Sequence, residues 1–155
     1  MLSDDVYLAN FRATIAELEA WAATLSDVAA IETDREESCW RVAFVPHSPQ
    51  ACPFELMLRR DQRFDLTVGP ETYEDQLIPS LNMFKPLLAA IVGGRVVTST
   101  WLTAATGLRT ATETHIAPHG RACWSAERWL LASKSDAGDG LLRRDHHYVP
   151  YSRGA

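Results

Sequence analysis

The stretch LIPSLNMFKPLLAAIVGG, Leu77 to Gly94, is the most apolar segment of the chain and divides it in two. Leu77, Leu81, Phe84, Leu88 and Ile91 recur at alternating spacings of four and three, so on a helix they form one apolar stripe. Such a stripe needs a sheet to cover it. Pro86 lacks a backbone donor and disfavours regular helix just before it. Regular turns are therefore expected at roughly 85 to 93, after an irregular first turn, and Gly93-Gly94 supply a left-handed stop.

Upstream, Ser3 with Asp4 and Asp5 reads as a helix start, a hydroxyl cap followed by carboxylates in the positive first turn. Leu8, Phe11, Ile15, Leu18, Ala22 and Leu25 share one face, which predicts an amphipathic helix over about 4 to 26. That stripe reads as core, with a dimer seam as the alternative. The charged run ETDREES, 32 to 38, reads as a solvated turn. From Cys39 the period becomes two. Trp40, Val42 and Phe44 alternate with Cys39, Arg41 and Ala43 up to Pro46; Phe54, Leu56 and Leu58 then form a hairpin with Phe64, Leu66 and Val68. Gly69-Pro70 ends the hairpin, and the acidic ETYED, 71 to 75, reads as a loop.

Downstream, three more strands are expected, at 95–105, 109–117 and 121–131, with turns at Thr106-Gly107-Leu108 and Pro118-His119-Gly120. Residues 133 to 155 hold little apolar material and open with Ser, Asp and Gly, so they read as a flexible tail behind a single domain, 1 to 132. The fold class expected is α+β: two helices packed on one face of a mainly antiparallel sheet, in the order α-β-β-β-α-β-β-β. Up to its fifth strand this order, with the acidic balance, resembles the small chaperones of type III secretion, which run helix, three strands, helix, two strands, helix. The resemblance implies a dimer that holds an unfolded client. Here the last element reads as a strand, and no sequence motif matches.

A length of 155 residues suits one domain with a sizeable core, and 46% hydrophobic residues is globular composition. The net charge of −5, with scattered basic residues, argues against nucleic acid or an anionic membrane as partner. Three cysteines without a CxxC suit neither a disulfide framework nor a zinc ribbon. An acidic N-terminus and the lack of a run of ~20 apolar residues make a cytoplasmic protein the expectation.

No nucleophile elbow, phosphate loop, dinucleotide fingerprint or HExxH motif occurs, so no cofactor is implied and a non-catalytic role is favoured. The richest constellation lies in the second strand set. If His119-Gly120 are the two central residues of a hairpin turn, His115 faces Trp124, Glu113 faces Ala126 and Ala111 faces Arg128. One face then carries Glu113, His115, Trp124 and Arg128; the other carries Thr110, Thr112, Thr114, Ile116, Cys123, Ser125, Glu127 and Trp129. With Trp101, Trp124 and Trp129 as aromatic anchors, the first reading is a module, a homodimer being one form of it, that holds another protein. The alternative is a pocket for a small carboxylate built on Trp101, Glu113, His115, Trp124 and Arg128, with Glu113 and His115 as its acid–base pair. The bland reading is a solvated face with exposed ion pairs. His115, His119 and Cys123, with His146 and His147, are weak metal-ligand candidates. A tight hairpin lets only two of the first three converge.

Overall fold

The computed structural model describes residues 3–118, 124–130 and 140–152. Helix α1 (Asp4–Ala23) opens at Ser3, whose side chain makes no capping hydrogen bond, so Asp4 and Asp5 alone complement the helix start. Tyr7, Phe11, Ile15, Leu18 and Ala22 form its buried face. Tyr7 joins the expected stripe, its hydroxyl donating to Arg59 O over 2.6 Å, while Leu8 and Leu25 pack against the core partly buried.

Strands β2 (Cys39–Pro46), β3 (Phe54–Arg59) and β4 (Arg63–Val68) are the three expected, and each buries alternate residues. Two further strands flank them. The charged run after α1 contributes to β1 (Ala29–Arg35), paired to β2 from Ala29↔Pro46 to Arg35↔Trp40. The acidic stretch after Gly69 forms β5 (Glu71–Leu77), paired to β4 across a bulge. The result is a five-stranded sheet in the order β1-β2-β3-β4-β5. Both additions correct the reading of charged residues as loops. An edge strand can keep its ladder while its side chains stay solvated, and here Arg41 lies 2.8 Å from Asp34 and 2.6 Å from Glu55 on the outward face.

The central stretch behaves as its stripe predicts. A short 3₁₀ turn (Leu81–Met83) is capped by Ser80, whose Oγ accepts from Asn82 N at 3.2 Å, and leads into α2 (Phe84–Val92). Pro86 sits in the first turn, where its missing donor costs nothing. Leu77 is the exception, 62% exposed because it ends β5 instead of joining the helix. Both helices join the inward side chains of β2, β3 and β4 in one core, with Phe64 edge-on to Phe84 at 5.1 Å and Trp21 stacked on Phe44 at 5.6 Å.

Beyond α2 lie β6 (Val96–Thr103), β7 (Arg109–Ile116), β8 (Trp124–Trp129) and β9 (Leu141–His147). They form a second antiparallel sheet, in the order β8-β7-β6-β9. The class is α+β as expected, with two sheets where one was foreseen. Residues 141–147, placed in the tail by composition, pair with β6 from Val97↔His147 to Thr103↔Leu141. Composition registers apolar burial, whereas β9 is held through its backbone ladder. The chain then runs back over the core: Tyr151 N donates to Val92 O at 2.8 Å and its hydroxyl to Cys52 O at 2.5 Å. Gly94, at φ +75, also makes room for this segment, since a Cβ there would stand 2.5 Å from Pro150 N. With five strands before α2 and four after, the order departs from that of the secretion chaperones. No helix among the described residues is long and apolar enough to cross a membrane.

Candidate functional site

The register of the second sheet decides which side chains meet. Ala111 pairs with Trp129, Glu113 with Glu127 and His115 with Ser125. That is one residue out of the register expected for a two-residue turn at His119-Gly120, and such a slip moves every β8 side chain to the opposite face. The expected constellation is therefore divided. Trp101, Glu113 and His115 lie on the outward face, while Trp124 and Arg128 lie on the face turned toward β5 and α2.

Burial explains the observed register. Val96, Ile116 and Trp124 share the inward face; the first two belong to the core cluster and Trp124 packs against it. Trp124 meets Tyr73 edge-on at 5.7 Å and lies 6.4 Å from Phe64, so it is a packing residue. Thr110, Thr112 and Thr114 are buried with it, and the Tyr73 hydroxyl shares a 2.6 Å hydrogen bond with Thr114 Oγ1.

The outward face carries three rows, read across β8, β7, β6 and β9. Trp129, Ala111, Trp101 and Arg143 form the first; Glu127, Glu113, Ser99 and Asp145 the second; Ser125, His115, Val97 and His147 the third. None of these residues belongs to the core cluster. Ala111 and Ser99 are nonetheless buried, small floor residues beneath longer neighbours. The Arg143 guanidinium lies 5.5 Å from the centroid of Trp101 and its Nε 2.8 Å from Asp145. Ser99 Oγ donates to Asp145 at 2.7 Å. This bond, then Arg143, holds the Asp145 carboxyl below the usual carboxylate range. Trp129 Nε1 donates to Glu127 at 2.9 Å.

Glu113 and His115 touch, Oε1 against Nε2. The pair stands on an open sheet face with the His115 side chain 42% exposed, where water competes for every proton. Of the other metal-ligand candidates, His119 and Cys123 lie outside the described residues. His146 and His147 point to opposite faces of β9, and His146 packs edge-on against Tyr148 at 4.5 Å. Among the described residues no group of three or more His, Cys, Asp or Glu could hold a metal ion.

Arg128 reaches a different place, a recess of about 160 Å³ lined by Pro70, Glu71, Arg109, Thr112, Arg128 and Leu130. Glu71 and Arg109 were missed by sequence reading. The alternation of Glu71 and Tyr73 with Thr72 and Glu74 was the available signal, since both odd residues prove buried. Comparison with protein-family models, with curated proteins and with solved structures gave no match.

Proposed function

We propose that the chain is a non-catalytic interaction module, and that the outward face of the second sheet docks a short basic segment of a partner protein. The observation that carries this reading is the register itself. It sets Trp129 and Trp101 in one row beside Glu127, Glu113 and Asp145 in the next. Aromatic faces accept the aliphatic stems of Lys and Arg, and the neighbouring carboxylates accept their cationic ends. A net charge of −5 steers a basic partner toward the protein.

The size of the face favours a segment over a globular surface. Four strands about 4.8 Å apart, and strands of about 24 Å, give roughly 350 Å². A standard interface buries about 800 Å² per partner. Selection from a peptide library of graded charge tests the reading. Enrichment of Lys and Arg next to aliphatic residues is expected, with affinity lost in a Trp101→Ala/Trp129→Ala double variant and falling with salt. Enrichment of acidic or uncharged peptides, or undiminished binding by the double variant, would contradict it.

A further inference from the structure

On the opposite face of the same sheet, three charged groups converge without closing on one another. Glu71 opens β5 with its side chain only 5% exposed, between Arg109 of β7 and Arg128 of β8. Arg109 Nη1 stands 3.8 Å from one carboxylate oxygen and Arg128 Nη1 3.8 Å from the other. These distances exceed the ~2.7–3.2 Å of a hydrogen bond, so charge draws the guanidiniums to Glu71 while space remains between them. Both are about half exposed, their side chains 55% and 56% accessible. The floor adds a second polar feature. Thr112 Oγ1 is buried and makes no well-aligned hydrogen bond among the described residues; its polar neighbour is the Tyr73 hydroxyl, which bonds Thr114 and interacts more weakly with Thr112. A buried hydroxyl of this kind ordinarily has a partner.

We propose that Arg109 and Arg128, set by the buried Glu71, bind a small aliphatic monocarboxylate. Their guanidinium N–H groups donate to its oxygens, Thr112 donates to one of them, and Pro70 and Leu130 cover its alkyl end. The proposal concerns the inward face and stands apart from peptide docking on the outward one. Charge sets the ligand class. Two guanidiniums against one carboxylate leave a single positive charge, which a monoanion neutralises; a dianion would place its second charge against the desolvated Glu71. Volume sets its size. The recess of about 160 Å³ is several times the ~30 Å³ share of one water. It falls well short of the ~300–1,000 Å³ of pockets for larger ligands. A chain of two to four carbons with its carboxylate is the class that fits.

The test uses the full chain, labelled so that arginine Nε–H signals are followed by NMR. Sodium butyrate, sodium phosphate and sodium chloride are titrated at constant ionic strength. Butyrate is expected to shift the Arg109 and Arg128 signals saturably, phosphate more weakly, and chloride not at all. Arg128→Gln should weaken butyrate binding about tenfold, the loss of one charge-assisted contact. Glu71→Gln, by removing the negative charge, should raise phosphate affinity above that of butyrate. An equal or unsaturable response to all three salts would overturn the proposal. Undiminished butyrate binding by Arg128→Gln, or an unchanged order in Glu71→Gln, would do the same. Should Arg128→Gln fail to fold, Arg109→Gln carries the same expectation from the other side of the recess.

Discussion

Gly94 shows how one residue can answer to two constraints. Its φ of +75 ends α2, and the absence of a Cβ lets Pro150 pass at a distance no side chain would allow. Gly107 has a similar φ of +70 but nothing within 4 Å of a would-be Cβ. Gly107→Ala should therefore cost only the left-handed strain, about 1 kcal/mol. Gly94→Ala adds a steric clash and should cost at least about 2 kcal/mol more. Chemical denaturation of the two variants reads the difference, and equal losses would mean that the segment after β9 does not rest on the core. Cys52 lies beneath that same segment. Burial pushes its thiol from 9.0 up to about 12, and burial pushes the Tyr7 phenol from 10.0 up to about 12. In both cases the neutral form is favoured by the fold. Their contribution is complete below about pH 9 and is lost as pH rises to about 12. Stability measured from pH 8 to 12 should fall across that window, and the fall should be shallower in Cys52→Ala, measured against its own neutral value. An equally steep fall in that variant would exclude the thiol as a source.

Among the elements, those with a continuous apolar face were legible in the sequence, and the charged strands β1, β5 and β9 were not. Leu56, Leu58, Phe64 and Leu66 alternate with polar residues because β3 and β4 bury one side against the helices. Leu88→Ala in α2, at the centre of that packing, should cost about 2–5 kcal/mol, as read by thermal or denaturant unfolding. β1 and β9 leave most of their side chains exposed, and their strand character resides in backbone pairing that side-chain periodicity does not report. The β7–β8 register was hidden for another reason. Thr112 and Thr114 are polar, so no apolar alternation marks their face, yet they are buried and share it with Ile116 and Trp124. The candidate site was legible to the same extent: Trp101, Glu113 and His115 share a face, while one residue of register removed Trp124 and Arg128 and brought in Glu127 and Trp129. Paired cysteines test this register directly. Glu113→Cys with Glu127→Cys should crosslink readily, since facing positions lie ~5 Å apart. Efficient crosslinking of Glu113→Cys with Ala126→Cys instead would restore the two-residue turn and dissolve both proposed surfaces.

At the scale of the whole molecule, the two sheets have different exteriors. The outward face of the first is laced with ion pairs: Arg41 meets Glu32, Asp34 and Glu55, and Arg59 meets Asp61, Asp65 and Asp75. Such a surface is already satisfied in water and gains little from a partner. The outward face of the second sheet has pairs of its own, Arg143 with Asp145 and His115 with Glu113, but adds the indoles of Trp101 and Trp129, whose faces take the aliphatic stems of basic residues. The helices and the first sheet thus supply most of the core, to which the second sheet adds Val96 and Ile116, and the second sheet presents a surface at each side, one open and one recessed. The measurement that tests this division most directly is amide chemical-shift mapping with the basic peptide that emerges from selection. The shifts are expected to cluster on Val97–Trp101, Ala111–His115, Ser125–Trp129 and Arg143–His147, leaving α1 and α2 unmoved. Shifts centred on the helices, or on the inward recess around Glu71, would contradict the assignment of the outward face as the docking surface.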